Sequence, residues 1–111
     1  MEEEQSILIK LMGDYPLIRI FNFLLIYREY DYSLTDIAEN SGVAWSTLNL
    51  LWPKLEKTGI VKQTRNVGKA KMFKLNEENK IVQDLMKFAD SLVWYYTHQN
   101  LEKKKKVVVV K

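Results

Sequence analysis

Apolar residues fall at helical spacing over most of the chain, and the rhythm changes to alternation in one place. From Glu3 to Met12, Ile7, Leu8 and Leu11 lie on one side of a helix, and Gly13 is a natural stop. Pro16 follows where a first helical turn tolerates it, and Leu17–Arg28 carries Leu17, Ile20, Phe21, Leu24, Leu25 and Tyr27. So wide an apolar face predicts a helix buried on most sides. The segment YREYDYSL turns the chain. Thr35 is the expected N-cap of the next helix, with Asp36 well placed against its dipole, and Ile37 and Ala38 face inward. Gly42 ends that helix and Val43 plugs the corner before another runs from Trp45 to Lys57, stopping at Gly59.

Ile60–Arg65 and Ala70–Leu75 read as paired strands around the Gly-containing loop Asn66-Val67-Gly68-Lys69. Asn76 is the expected cap of a long last helix with Glu77 and Glu78 in its first turn. Ile81, Val82, Leu85, Phe88, Ala89, Leu92, Val93 and Tyr96 recur along it at helical spacing. The ending KKKKVVVVK is low-complexity and fits either a frayed tail or an added edge strand. No internal repeat or Pro/Gly/Ser-rich linker divides the chain. The expectation is one mainly α domain with a small β-hairpin over residues 1–100, followed by a basic low-complexity tail over 101–111.

Composition sharpens this picture through the distribution of charge. The 111 residues carry a net charge of +3, yet residues 1–60 hold five Lys/Arg against nine Asp/Glu and residues 61–111 hold twelve against five. Val61–Leu75 has five basic residues (Lys62, Arg65, Lys69, Lys71, Lys74) and no acidic one. A local positive patch on an otherwise balanced surface is what a polyanion binder presents, although a solubilising hairpin has the same composition. Cysteine is absent, so disulfides and thiolate metal sites are excluded. No apolar run has membrane-spanning length, and the start MEEEQS is acidic where a signal peptide is basic, so a cytoplasmic protein is expected.

The order of these pieces resembles winged helix-turn-helix regulators of the MarR-like and ArsR-like type. The matching residues are Leu34-Thr35-Asp36-Ile37-Ala38, Gly42-Val43, Ser46-Thr47-Leu48 and Leu55-Glu56-Lys57-Thr58-Gly59-Ile60-Val61, and the likeness covers Leu17–Leu75. The resemblance implies a winged helix-turn-helix with a long C-terminal helix. It also implies that the Trp45–Lys57 helix enters the major groove of double-stranded DNA, that the hairpin wing touches the flanking backbone, and that terminal helices form a homodimer. Two residues depart from the pattern. Ala44 stands where a Ser or Thr cap is usual, and Pro53 removes a hydrogen bond inside the helix and should bend it.

At about 100° per residue, Leu48, Leu51, Trp52 and Leu55 share the inward face of the Trp45–Lys57 helix. Ser46, Asn49, Leu50, Pro53 and Lys57 lie opposite, flanked by Thr47 and Lys54, with Trp45 at the boundary. Ser46, Thr47 and Asn49 are near the end from which base contacts arise. Asn49 can pair with an adenine edge and Leu50 can touch a thymine methyl group. Ser46 and Thr47 serve equally well as helix caps, and Trp45 as a packing residue. The helix has no Arg, so the commonest guanine contact is missing. In the wing, Lys62, Arg65, Asn66, Lys69 and Lys71 are the candidate phosphate or minor-groove contacts. They cannot all point one way, because strand side chains alternate.

The last helix is longer than a winged domain needs. Leu85, Phe88, Leu92, Tyr95 and Tyr96 are the candidate homodimer interface, unless the helix folds back to complete a monomeric core. Tyr27, Tyr30, Tyr32, Trp94 and Tyr95 are compatible with an effector pocket, but nothing else in the sequence supports a small-molecule ligand. A metal site is not expected, since His98 is the single histidine. No cofactor is implied, and no nucleophile–base pair, Gly-rich phosphate loop or metal motif points to an enzyme. The competing reading is a winged-helix protein–protein module in which Trp45, Leu50 and Pro53 form an apolar docking patch.

Overall fold

A computed structural model describes residues 6–105, with side chains described as far as Gln99. The elements run α1 (Ile7–Met12), α2 (Pro16–Ile26), β1 (Tyr32–Ser33), α3 (Leu34–Ser41), α4 (Trp45–Lys57), β2 (Val61–Val67), β3 (Ala70–Leu75) and α5 (Lys80–Lys105). This is the expected mainly helical chain with a β-hairpin. The strands form an antiparallel sheet in the order β1-β3-β2. Residues 3–5 of the first expected helix, and residues 106–111 of the expected tail, lie outside the described residues, and Ser6 caps α1 instead of continuing the expected helix, its side chain accepting from the Ile9 N–H. Within the expected tail, residues 101–105 continue α5 as helix.

Ile20 and Leu24 of α2, Ile37 of α3, Leu48 and Trp52 of α4, Phe73 and Leu75 of β3 and Val82 of α5 meet in one core. Trp52 stands edge-on to Phe73, with ring centroids 5.4 Å apart. α4 therefore spends its Leu48/Trp52/Leu55 stripe on the core, as the spacing predicts, and its other face stays outside. Pro53 cannot donate to the carbonyl one turn back, but the helix runs through it to Lys57.

Two caps differ from expectation. The N-cap of α3 is Ser33, whose Oγ accepts from the Asp36 N–H at 3.1 Å, while Thr35 lies inside the helix. The short strand β1 decides this: Tyr32 and Ser33 pair with Phe73 and Met72, so the chain leaves the sheet and enters the helix at Ser33. At the other end, α5 starts at Lys80 rather than just after Asn76. Asn79 Oδ1 accepts from the Ile81 N–H at 2.7 Å, and Glu77 and Glu78 sit in a turn before the helix. The Nδ2 groups of Asn76 and Asn79 both donate to the Gly59 carbonyl, at 3.1 and 2.9 Å. That staple to the α4–β2 turn displaces the helix start by a turn.

Gly42, at φ 70°, closes the turn between α3 and α4 in the left-handed conformation. Its carbonyl accepts from Arg19 Nη1 at 3.2 Å, and a Cβ there would stand 2.6 Å from that same nitrogen. Gly42→Ala is expected to cost about 1–2 kcal/mol, from left-handed strain and loss of this contact. A urea titration would measure it as a lower midpoint at unchanged slope.

Candidate nucleic-acid interface

The outer face of α4 is open along its length. Leu50 is 79% exposed and Trp45 52%, and Ser46, Asn49, Pro53, Lys54 and Lys57 are exposed around them, with Thr47 half-buried. Asn49 Nδ2 donates to the Trp45 carbonyl at 3.0 Å, so its amide is engaged by its own helix. The N-cap of α4 is Ala44, and no side chain caps the first turn.

The wing is a tight hairpin. Val67 pairs with Ala70, leaving a two-residue loop of Gly68 and Lys69. Gly68 takes φ 62°, and a positive angle at the first loop residue is what a type II′ turn demands. Lys69 is thereby placed at the tip. Cross-strand partners share a face and neighbours along a strand alternate, so the register sorts the charges. Asn66 pairs with Lys71, and both lie on the Phe73/Leu75 side. Lys62 pairs with Lys74, and both lie on the reverse side.

Arg65 joins the reverse side because of a bulge. Gln63 pairs with Phe73 but Arg65 pairs with Met72, so Thr64 is the extra residue. Without it Arg65 would lie opposite Lys71. Instead its guanidinium grips Asp31 in the α2–β1 loop, with Nε to Oδ2 at 2.9 Å and Nη2 to Oδ1 at 3.1 Å. The Thr64 hydroxyl donates to the same carboxylate. These bonds, first from Arg65 and then from Thr64, hold the Asp31 carboxyl down at about 2. Arg65 therefore anchors the base of the wing to the body of the domain.

The sign of the pH effect follows. A carboxyl with a depressed native pKa stabilises fully above its unfolded value near 4, and that contribution is lost as pH falls through about 2. The clamp is thus constant across neutral pH. In an Arg65→Ala variant the Asp31 carboxyl is expected to titrate well above its native midpoint, which a carbon-detected NMR titration would read.

Between wing and helices lies a cleft of ≈ 280 Å³, lined by Ser33, Leu34 and Thr35 at the start of α3, Trp45 of α4, and Lys69, Ala70, Lys71 and Phe73 of the hairpin. The fold thus brings Trp45 together with Lys69 and Lys71, and Leu50 and Lys54 continue along α4. It separates from them Lys62 and Arg65, on the reverse face. A two-residue strand and a bulge leave no periodic trace, so sequence reasoning missed Asp31, the residue that fixes Arg65.

Of the candidate dimer residues, Leu85 and Leu92 pack partly buried against the chain's own core, while Phe88, Tyr95 and Tyr96 are exposed. Of the aromatics considered for an effector, Tyr27 lines a cleft of ≈ 290 Å³ beside Asp14 and Arg19, and Tyr32 packs on Phe23. Trp94 and Tyr95 lie exposed on α5. Among the described residues, no group of three His, Asp or Glu side chains is placed to hold a metal. No helix among them is long and apolar enough to cross a membrane.

Solved structures with this architecture decide the fold. The Lactococcus lactis ZitR C30AH42A mutant in apo form superposes with a TM-score of 0.60 at 16% identity, covering 80% of this chain and 68% of that one. MepR, a transcription regulator of the Staphylococcus aureus multidrug efflux pump MepA, gives 0.56 at 18% identity, covering 78% and 67%. The fold is that of the MarR-family winged-helix regulators. Wild-type ZitR in complex with DNA matches this MarR-type fold with a TM-score of 0.56 at 15% identity, over 93% of this chain and 65% of its own. This chain spans about two thirds of the length of these regulators. In sequence, no protein-family model matches it and no curated protein is significantly similar.

Proposed function

We propose that this chain is a cytoplasmic DNA-binding transcriptional regulator that acts as a homodimer. The observation that carries the reading is the shared cleft: Lys69 and Lys71 of the wing line it together with Trp45, at the start of an α4 whose outer face is exposed. In that arrangement α4 enters the major groove. Trp45, Ser46, Thr47, Asn49 and Leu50 face the bases or the near sugars, and Lys54 faces the backbone. Lys69, Lys71 and Asn66 hold the flanking phosphates, while Lys62 and Arg65 add charge from the reverse face. The MarR-type fold supports this reading, since a protein of that fold has been solved on DNA.

The test is fluorescence anisotropy with labelled duplexes at low ionic strength. Binding that weakens steeply with salt is expected. Indifference to every duplex at the lowest salt would end the proposal.

A second reading rests on the exposure of Trp45, Leu50 and Pro53 on the outer side of α4, apolar side chains that a protein partner would cover. Two variants separate the readings. Under the DNA reading, replacing Lys69 and Lys71 by Ala strongly weakens duplex binding, with Arg65 kept because it anchors the wing. Under the docking reading, Leu50→Asp abolishes capture of a protein partner and the wing changes do not.

A further inference from the structure

The chain holds three arginines, and the structure clamps each of them to an aspartate. Arg19 grips Asp14 through Nε and Nη2 while its Nη1 holds the Gly42 carbonyl, tying the α1–α2 turn to the α3–α4 turn. Arg28 of the α2–β1 segment reaches Asp90 of α5 at 2.8 Å. Arg65 is bound to Asp31 through two nitrogens. The guanidinium fork that reads guanine O6 and N7 is therefore committed to internal cross-links. Base contacts come from the start of a recognition helix, and the lysines of α4, Lys54 and Lys57, lie in its last turn. Asn49 has one amide N–H donated to the Trp45 carbonyl, which fixes the orientation in which its other N–H and its oxygen can meet a base. Ser46 and Thr47 offer hydroxyls, which pair with donors and acceptors alike and discriminate little. Leu50, one turn on from the uncapped start, is the most exposed large apolar side chain of the helix at 79%, against 52% for Trp45.

Resting on the DNA-binding reading above, we infer that Leu50 is the specificity-determining residue of α4 and that it reads the 5-methyl group of thymine. A leucine exposed to water gains by burial against another apolar group. In the major groove the thymine methyl is the apolar feature on the base edges. The expected preference is for A·T-rich duplexes, set by methyl contact rather than by hydrogen bonds.

The experiment compares an alternating dA-dT duplex with the same duplex carrying uracil in place of thymine. Every register of the first presents methyl groups, and the second differs by their removal. The full chain is expected to bind the thymine duplex more tightly, by about fourfold for each methyl buried. Leu50→Ala should bind both duplexes equally, and at the affinity of the native chain for the uracil duplex. The side chain is exposed, so the variant keeps its fold, which circular dichroism verifies. Equal binding of the native chain to both duplexes would overturn the inference and leave the regulator reading standing. Failure to bind either duplex would remove both.

Discussion

Replacing Lys69 and Lys71 together by Ala is expected to lower duplex affinity by about a hundredfold or more near 0.1 M salt, and to flatten its salt dependence. If a dimer neutralises about five phosphates, log affinity against log salt slopes near −4 to −5; the double variant removes four of the five and brings the slope toward −1. The structure puts the effect on this pair rather than on the whole basic hairpin. Lys69 is at the tip and Lys71 lies on the sheet face that continues toward Trp45, whereas Lys62 and Lys74 are paired on the reverse face. A Lys62→Ala control should therefore change affinity far less. All of these residues except the half-buried Lys74 are exposed, so the variants should melt like the native chain. Equal losses from Lys62 and from the tip pair would show that the hairpin contributes only diffuse charge.

The parts of this interface that were legible beforehand are those with a period. The Leu48/Trp52/Leu55 stripe marked the buried side of α4, and so left Ser46, Asn49 and Leu50 outside; Trp45 stood at the boundary, and the structure exposes it. Alternation and a glycine located the hairpin, and the structure extends β2 only to Val67. What was not legible depends on contacts between distant residues. Ser33 and Thr35 are both good caps by chemistry, and pairing of β1 with β3 chose between them. Asn76 and Asn79 are equivalent to a sequence reader until both find the Gly59 carbonyl. The bulge at Thr64 turns Arg65 from a tip residue into a strut. Nothing within Val61–Leu75 foretells that, because Asp31 lies more than thirty residues upstream. Periodicity also gives Leu85 and Leu92 the same standing as Phe88, although the first two are used by the chain itself.

Changing Phe88 and Tyr95 together to Asp is expected to convert a dimer into a folded monomer and to reduce affinity for a two-half-site duplex by about 10²–10⁴-fold. The last helix, α5, is the longest element of the chain. At 26 residues it is about 39 Å long, and the molecule measures 55 × 30 × 21 Å. Its radius of gyration is 16.3 Å, against about 13 Å for a compact chain of this length. Val82, Leu85, Met86, Ala89 and Leu92 bind the first half of the helix to the core. From Val93 to Gln99 every side chain is exposed, including Trp94 at 61% and Tyr95 at 58%. A helical end that carries large aromatics and touches little of its own domain gains by covering them, at about 1.5–3 kcal/mol for each large side chain fully buried. α1 lies against α5, with Lys10 Nζ 5.6 Å from the centre of the Tyr96 ring, and Leu11 and Met12 are exposed beside it. Those residues widen the apolar surface offered to a second copy. Since neither Phe88 nor Tyr95 is buried in the protomer, the double variant should unfold at nearly native denaturant concentration while sedimenting as a monomer. Two linked recognition helices bind a pseudo-palindrome with an effective concentration that a monomer lacks, which is the origin of the expected loss. Sedimentation of the native chain as a monomer at high micromolar concentration would contradict the proposal at its first step.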